Sequence, residues 1–323
     1  MKQVNQITTS LNIVVPQKSN SIKDTQKFDR IRKIIGLVLT YAFLILAAII
    51  VIFPFYYMII ASGMLEDDVL AGQFWPVQGS LFENMAYNYT ETLSRFSYLK
   101  YVGNTLVVAI STTCLQMLVT ILSAFAFARL TFRGRDLLFS AFLATMMIPG
   151  EMMVITNYIT MSNLGLSGGG QTRWQAYLAM ILPFISSVFY IYLLRQNFKQ
   201  IPNELYLAAK VDGKSDWDYL WKVMVPLASP TLITIAILAI IGSWNAYVWP
   251  KLIVSASPHN MDYWLISVAV RGEALTKEIH EVNITQYSWQ MCASVLTVVP
   301  LLILFIIFRK YIMRGTGRAG LKG

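Results

Sequence analysis

The residues most suggestive of chemistry run from Ala208 to Ser215 and nearly match the phosphate-binding pattern G-x-x-x-x-G-K-[ST], with Ala208 in place of the first glycine. Phosphate binding by this pattern needs a β-strand that leads into a glycine-rich loop within a βα domain. Here the sequence predicts a capped helix before Gly213, and the roughly thirty polar residues around it are too few for such a domain. We therefore expect a chance likeness, and we expect this chain itself to bind no nucleotide, cofactor or metal.

Glu151 is the only charged residue in an apolar stretch from Leu137 to Ser162. An ionisable group at the centre of a membrane helix costs about 2.5 to 3.5 kcal/mol, so this side chain should be buried against protein or face water. Pro149 and Gly150 come just before it and can open a helix. The carboxylate either caps that break, which is the commoner role, or lines a polar cavity.

A cluster of Trp244, Asn245, Tyr247 and Trp249 combines aromatic faces with a carboxamide. Aromatic residues near the end of an apolar stretch usually form the belt at a membrane–water interface. Carbohydrate ligands, however, are bound by aromatic faces together with a few well-placed amide and hydroxyl groups. The cluster is therefore also a candidate ligand site.

Long apolar segments must position these residues. Of the 323 residues, 56% are hydrophobic and only 13% are charged. A helix that crosses the hydrocarbon layer needs roughly 20 apolar residues. Six segments meet this requirement: Ile34–Ile60, Val102–Ala128, Leu137–Ser162, Ala176–Leu194, Leu227–Pro250 and Tyr287–Phe308. Because backbone groups in lipid must be satisfied inside helices or closed barrels, and these segments do not alternate as barrel strands do, we predict an all-α polytopic membrane protein with six transmembrane helices.

Basic residues are concentrated at alternate ends of the predicted spans. The segment before span one, the turns between spans two and three and between four and five, and the end of the chain hold 20 of the 26 lysines and arginines. By the positive-inside rule these segments, and so both termini, are cytoplasmic. The net charge of +9 therefore reflects topology in a cell membrane rather than nucleic-acid binding. We predict a polar N-terminal segment at 1–33 without a cleaved signal peptide, a membrane domain at 34–311 and a cytoplasmic tail at 312–323.

The insert between spans four and five, residues 201–226, has the pattern of two amphipathic helices joined at a glycine. We expect Asn203 to cap the first helix, with Glu204 in the first turn, where a carboxylate complements the helix dipole. Gly213 should end that helix. Ser215 should then cap the second helix, with Asp218 at the capping-box spacing.

The second helix of the insert is expected to present an apolar stripe formed by Trp217, Leu220, Trp221 and Met224. Asp218 and Lys222 should pair on the opposite face, and Pro226 should end the helix. The insert could lie on lipid headgroups as an interfacial hairpin with its tryptophans as anchors. The small residues Ala208 and Ala209 beside the bend favour instead close approach by another protein.

Three segments of the insert resemble the cytoplasmic "EAA" coupling motif of ABC importer permeases for carbohydrate uptake: Leu207-Ala208-Ala209, Asp212-Gly213 and Val223–Pro226. Leu207 replaces the leading glutamate of the motif, although Glu204 lies one turn earlier. Other segments similar to the family are Asn104, Met147–Glu151, Leu194–Gln196, Trp244–Pro250, Arg314-Gly315 and Leu321–Gly323. The chain is thus similar to the second permease of maltose-type or glycerol-3-phosphate-type importers.

The resemblance implies a non-catalytic permease subunit that works with other proteins. These are a second permease, either a different chain or a second copy, two ATP-binding subunits that consume ATP and Mg²⁺, and an extracellular solute-binding protein. The coupling residues it implies are Glu204, Ala208, Ala209, Asp212, Gly213 and Pro226. Candidates for the substrate path are Glu151, Asn157, Trp244, Asn245 and Tyr247. The substrate would be a mono- or oligosaccharide, or alternatively glycerol-3-phosphate or a related polyol.

Two other classes of membrane protein fit the sequence less well. A secondary transporter should carry ion-coupling carboxylates or broken helices in paired halves, and only Glu151 qualifies. A membrane-embedded enzyme needs a catalytic cluster, and the spans and their ends show no grouping of acidic, histidine or cysteine residues at catalytic or metal-binding spacing. The two cysteines, Cys114 and Cys292, lie inside spans two and six.

Overall fold

The protein is helical along almost its whole length. A computed structural model describes residues 19–167, 172–255, 264–271, 275–279 and 282–317. The helices in these residues are α1 Ser19–Ala61, α2 Glu66–Leu70, α3 Leu81–Arg95, α4 Tyr98–Ala128, α5 Arg135–Thr145, α6 Val154–Asn163, α7 Arg173–Ile181, α8 Val188–Gln200, α9 Asn203–Val211, α10 Asp216–Tyr219, α11 Val225–Leu227, α12 Ser229–Asn245, α13 Val248–Ser255, α14 Ile266–Ala269 and α15 Tyr287–Gly317. Shorter elements are 3₁₀ turns at Gly150–Met153 and Leu182–Phe184 and a π-helix at Leu220–Met224.

Three helices of the described residues are long and apolar enough to cross a membrane: 31–61 in α1, α4, and 287–310 in α15. These agree with predicted spans one, two and six. Three helix pairs reach the same length and hydropathy only when each bent pair is taken as one span. The described residues therefore offer three spans made of a single unbroken helix, or as many as six spans.

Predicted span three is sharply bent rather than straight. Its two halves, Arg135–Thr145 and Gly150–Asn163, lie at 89° to each other. The break falls where Pro149 was expected to open the helix, and Pro149 is extended, with φ −59° and ψ 133°. A proline has no N–H for the helix ladder, and it also disfavours helical conformation in the residue before it. The predicted break is confirmed.

Spans four and five also depart from single straight helices. Arg173–Phe184 and Val188–Gln200 lie at 51°, so span four is bent near its middle. The prediction of one helix from Leu227 to Pro250 is wrong, because α12 ends at Asn245 and α13 begins at Val248. Pro250 falls in the first turn of α13, a position where a missing N–H costs little.

The ends of the chain extend beyond the predicted boundaries. Helix α1 begins at Ser19, inside the segment expected at 1–33, and α15 continues to Gly317, past the boundary expected at 311. Residues 1–18 and 318–323, which include the segment Leu321–Gly323, lie outside the described residues.

The chain divides into two compact units, residues 1–57 and 58–323. In the first unit, nearly every side chain of α1 from Ile31 to Phe55 is exposed, and most of them are apolar. A helix that is apolar on all sides is suited to lipid or to contact with other membrane helices.

In the second unit, α4 is the central helix, and α8 and α12 pack along it. Near one end of α4, Phe125 joins Leu194 and Phe198 of α8 in a buried cluster that also contains Leu220 and Met224. We call this the insert-side cluster, because Leu220 and Met224 belong to the insert, residues 201–226. At the other end, separate clusters form around Val108 and around Tyr101 of α4.

One short element was not predicted from the sequence. Strands β1 (Thr276–Ile279) and β2 (Val282–Thr285) pair in an antiparallel sheet, with Thr276 opposite Thr285. The sheet lies in the loop before α15, and the chain remains overwhelmingly helical in the described residues.

Candidate functional site

The first helix of the insert begins one residue earlier than the capping pattern predicts. Pro202 is the N-cap, with φ −55° and ψ 138°, and Asn203 is the first helical residue, so the prediction of Asn203 as N-cap is wrong. The fixed φ of proline suits this position. The Asn203 carboxamide instead accepts a hydrogen bond from Arg129 Nη1 at 3.2 Å. Glu204 lies exposed in the first turn, as predicted.

Arg129, just after α4, ties the start of the insert to the helical core. Its Nη2 donates to the carbonyl oxygens of Phe198, at 3.0 Å, and of Ile201. Hydrogen bonds from a charged donor contribute about 1.5 to 3 kcal/mol. From the sequence, Arg129 was counted only among the basic residues that indicate the cytoplasmic side. Its sequence neighbours do not show whether its side chain is hydrogen-bonded to the insert or exposed to solvent.

Gly213 ends α9 in the conformation that glycine adopts most easily. Its φ is +69°, and its N–H donates to the carbonyl of Lys210 at 3.1 Å. The N–H of Lys214 reaches back to the carbonyl of Ala209 at 2.9 Å. This pair of bonds is a Schellman C-cap, which satisfies carbonyls that the helix end leaves unpaired. The predicted glycine stop is confirmed, and the helix before it excludes the strand that a phosphate-binding loop requires.

Asp216 braces the two helices of the insert across the glycine bend. Its Oδ1 accepts from the Tyr206 hydroxyl at 2.7 Å and lies 2.9 Å from Lys210 Nζ. The rings of Tyr206 and Tyr219 meet edge to face, with centroids 5.1 Å apart. The Lys210 hydrogen bond, followed by that of Tyr206, holds the pKa of the Asp216 carboxyl below its ordinary value. Polar and aromatic contacts together fix the angle between α9 and α10.

The second helix of the insert is capped as predicted. Ser215 Oγ accepts from the Asp218 N–H at 3.1 Å, and Lys222 forms an ion pair with the Asp218 carboxylate. The helix does not end at Pro226, however. It continues through a π-helix to Leu227, and the 78° bend follows that residue. The predicted stop at Pro226 is therefore misplaced by one residue, since the helix ends just after the proline.

The apolar stripe of this second helix is partly confirmed. Leu220 and Met224 are fully buried in the insert-side cluster, and Trp221 packs against it. Trp217 is 61% exposed, while Tyr219 is buried. A π-helix takes up one more residue per turn than an α-helix, so the buried face no longer follows the 3.6-residue period that predicted Trp217.

Four predicted coupling residues share the exposed surface of the insert: Glu204, Ala208, Asp212 and Gly213. Ala209 is half-buried and packs against the insert-side cluster, and Pro226 lies exposed beyond the π-helix, away from the bend. Beside the four lie two exposed apolar side chains, Leu207 at 55% and Val211 at 88%. We call the surface of Glu204, Leu207, Ala208, Val211, Asp212 and Gly213 the bend surface.

A cavity of about 320 Å³ opens between α4, the second bent pair and α12. The polar and aromatic residues that line it are Thr112, Gln116, Phe184, Ser186, Ser187, Tyr190, Ser243 and Trp249. None of the described residues in its wall is charged. Gln116 Nε2 donates to the carbonyl of Phe184 at 2.9 Å, which holds the carboxamide in the wall. Such a mixture of hydroxyl, amide and aromatic groups suits a neutral polar ligand.

Residues 92–318 match the family model described as "Binding-protein-dependent transport system inner membrane component". The chain belongs to this family. The part of the chain matched runs from the end of α3 to the end of α15 and includes both the insert and the cavity.

Curated relatives in this family are named as permeases of uptake or transport systems. The chain is 28% identical to the diacetylchitobiose uptake system permease NgcG of Streptomyces coelicolor, over 85% of each chain. It is 29% identical to the arabinooligosaccharide transport system permease AraQ of Halalkalibacterium halodurans, over 90% of this chain and 98% of the relative. It is 26% identical to the sn-glycerol-3-phosphate transport system permease UgpE of Escherichia coli, over 86% and 95%.

A solved structure shares the fold. A chain of the bacterial ABC transporter involved in the import of the acidic polysaccharide alginate superposes with a TM-score of 0.69. The match covers 88% of this permease and 97% of the other chain, at 24% identity. The match shows that the two chains share an overall fold.

None of the substrate-path candidates predicted for this permease lines the cavity. Trp244 is buried in the cluster around Tyr101, and Asn245 is exposed at the end of α12. Tyr247 is half-buried and lies under the Arg271 guanidinium, 4.5 Å from its ring centroid. Trp249, from the same segment, does line the cavity, and its Nε1 donates to the carbonyl of Ala179.

Glu151 and Asn157 also lie apart from the cavity. Glu151 lies in an exposed 3₁₀ turn just after the break at Pro149, so its side chain faces away from this chain, and its contact with water or another protein stays a prediction. Its carboxylate accepts no hydrogen bond from the described residues, so the capping role is not seen. Asn157 is half-buried on α6.

Of the buried polar residues of this permease's α4, only Asn104 was named from the sequence. Thr112, Gln116 and Thr120 are also buried and follow one another at intervals of four, so they form one stripe along the helix. Asn104 accepts from the Tyr177 hydroxyl at 2.6 Å and donates to the carbonyl of Trp264. The spacing was visible in the sequence, since polar residues recurring every four positions in an apolar helix indicate a face turned toward protein or water.

Proposed function

We propose that this chain is a permease subunit of an ATP-driven importer, which moves a carbohydrate from an external binding protein across the cell membrane. The observation that carries the proposal is the braced insert. It is rigid, since Asp216 and the Schellman cap fix its bend, and it is fastened to α4 and α8 through Arg129 and the insert-side cluster. A movement imposed on the bend surface would therefore reach the helices that wall the cavity.

The partners follow from this arrangement and from the family. A second permease completes the membrane pathway, two ATP-binding subunits contact the bend surface, and a solute-binding protein delivers substrate on the outer side. This chain performs no chemistry in the proposal, and ATP and Mg²⁺ are used by the ATP-binding subunits. The three long unbroken helices, the first two bent pairs and α12 are six spans, with both termini and the insert in the cytoplasm, as the distribution of basic residues favours.

The cavity supports a neutral sugar as substrate. Two relatives are named for diacetylchitobiose and arabinooligosaccharides, and one for sn-glycerol-3-phosphate. A phosphate ligand would call for a cation in the wall, because burying an unpaired charge costs far more than burying a hydroxyl. The described wall of the cavity holds no lysine or arginine, so glycerol-3-phosphate or a related polyol is the second candidate.

Reconstitution tests the proposal. The chain, its partner permease, the ATP-binding subunits and the binding protein are placed in proteoliposomes, and uptake of radiolabelled neutral oligosaccharides is measured with and without ATP. We expect uptake that depends on ATP and that glycerol-3-phosphate does not compete away. Uptake driven by an ion gradient without ATP would contradict the proposal, and competition by glycerol-3-phosphate would favour the second substrate.

A pair of tyrosine variants tests the cavity within the same assay. Tyr190 lines the cavity, while Tyr192 lies two residues on and stacks on Phe139 instead. Tyr190→Phe removes one hydrogen-bonding group, so we expect the KM for the sugar to rise by roughly two- to tenfold. Tyr192→Phe is the matched control and should leave the KM unchanged. Equal KM values for the two variants would argue that the sugar does not enter this cavity.

A further inference from the structure

The turn between α4 and α5 holds one carboxylate among several cations. Arg135 Nε donates to Asp136 Oδ1 at 3.3 Å, and Arg195 Nη2 lies 3.6 Å from the same oxygen. Arg195 is buried and also donates from Nε to the carbonyl of Phe127 at 3.1 Å. Two guanidinium groups thus share a single carboxylate, and that carboxylate is 74% exposed.

Two further cations in this region are exposed and form no ion pair with a described residue. They are Arg133, in the turn itself, and Lys199, near the end of α8. Lys199 lies four residues after Arg195 on α8, so the two cations share one face of that helix. Asp136 is thus the one carboxylate that the described residues place against these cations, and the local charge stays positive.

The turn that holds Arg133, Arg135 and Asp136 forms an open concavity with an apolar side. Its lining runs from Thr131 to Leu137, and its volume is about 560 Å³. Arg195 approaches it through its ion pair with Asp136. Phe132 is 42% exposed and Leu137 is 78% exposed beside it. The turn joins two membrane segments by only a few residues, so it lies at the height of the lipid headgroups. A basic cleft next to exposed apolar side chains matches a phosphate headgroup with its acyl chains.

We propose that this cleft, which we call the basic cleft and define by Arg133, Arg135, Asp136, Arg195 and Lys199, binds the headgroup of an anionic phospholipid of the cytoplasmic leaflet. Arg133 and Lys199 contact the phosphate, and Phe132 and Leu137 contact the acyl chains. This proposal rests on the proposed function in one respect, namely that the turn between α4 and α5 lies on the cytoplasmic side of the membrane. Bound lipid there adjoins Arg129, which holds the insert, so the anion stabilises the same end of α4 that the insert moves.

The test measures lipid selectivity of the whole transporter. The reconstituted complex is titrated with spin-labelled phosphatidylglycerol and phosphatidylcholine, and the ratio of motionally restricted label is compared between variants. Arg133→Gln with Lys199→Gln should lower the preference for phosphatidylglycerol by up to about fivefold for each charge removed. The matched control, Arg309→Gln with Lys310→Gln, removes two exposed charges from the end of α15 and should leave the preference unchanged.

Loss of the preference for phosphatidylglycerol in the Arg133/Lys199 variant, with the preference kept in the control, supports lipid binding at the basic cleft. Equal loss in the control means a general attraction to the leaflet, and no loss means no site; both overturn the proposal. Loss of the ATP-binding subunits from the Arg133/Lys199 complex means that an acidic protein surface occupies the cleft, which also overturns it. A complex that selects lipid but imports nothing with ATP would contradict the proposed function alone.

Discussion

At the scale of single residues, Gly213 carries the tightest conformational requirement in the insert. Its φ of +69° lies in the left-handed region, and a Cβ built on it would meet nothing within 4 Å. Any cost of substitution is therefore backbone strain rather than a clash, and for an L-residue it is about 1 to 2 kcal/mol. A β-branched residue is affected most.

We expect Gly213→Val to reach the membrane in normal amounts but to lose coupling, so that ATP hydrolysis no longer follows sugar uptake. The strain is relieved by opening the Schellman cap, which changes the angle between α9 and α10. ATP hydrolysis and uptake measured together in proteoliposomes check this.

Gly165→Val is the matched control, because Gly165 also has a positive φ, +71°, and open space around it, but lies outside the insert. The Gly165→Val variant should have the same local backbone strain, and its sugar uptake should stay coupled to ATP hydrolysis. Wild-type coupling in Gly213→Val would remove the argument for a fixed bend.

At the scale of elements, the brace between α9 and α10 makes the insert sensitive to acid. The folded-state pKa of Asp216 is lowered by Lys210 and Tyr206. The brace therefore stabilises the insert above the ordinary carboxyl pKa of about 4, and the stabilisation is lost as pH falls through the lower, folded value. The group is partly exposed, so its contribution is that of a surface pair, below about 1 kcal/mol.

We expect Asp216→Asn to lower the hydrogen-exchange protection of α9 by roughly two- to fivefold at pH 7. The difference from the wild-type protein should begin to shrink below about pH 4 and disappear once the pH falls below the lowered, folded-state pKa of Asp216. Asp218→Asn serves as the control, because Asp218 pairs with Lys222 and Ser215 inside its own helix. Equal loss of α9 protection in both variants would contradict a brace across the bend.

The sequence was sufficient for elements that depend on local chemistry. Apolar length predicts the three spans made of one unbroken helix. Capping groups predict the glycine stop at Gly213 and the Ser215 cap, and the missing N–H of Pro149 predicts the break there. Each of these depends only on residues nearby in the sequence. The elements that were mispredicted depend on distant contacts. Arg129 draws the Asn203 carboxamide away from the cap, and the π-helix shifts the buried face past Trp217.

The substrate-path candidates could not be placed from the sequence, because a cavity wall is drawn from several helices. Trp244 and Trp249 look alike along the chain, yet the break after Asn245 buries one in the core and turns the other to the cavity. Glu151 was singled out by its charge, although the described cavity is lined by uncharged groups. The polar stripe through Thr112 and Gln116 could have been recognised in the sequence, but a search for charged residues in apolar segments does not find it.

At the scale of the whole molecule, the account depends on one contact that the chain makes with another protein. The insert extends from the helical core through Arg129 and the insert-side cluster, and its bend surface exposes small and apolar groups that include Ala208 and Val211. If the ATP-binding subunits contact this surface, their movement reaches the cavity through α4 and α8. If lipid covers it, the insert is only an anchor.

The most direct measurement is photo-crosslinking in the assembled transporter. A photoreactive amino acid replaces Val211, which is 88% exposed on the bend surface, and in a control replaces Trp174, which is 71% exposed at the start of α7. We predict that the probe at position 211 forms an adduct with the ATP-binding subunit in high yield, and that the probe at position 174 forms none with it. Adducts of the position 211 probe with phospholipid alone would contradict the account.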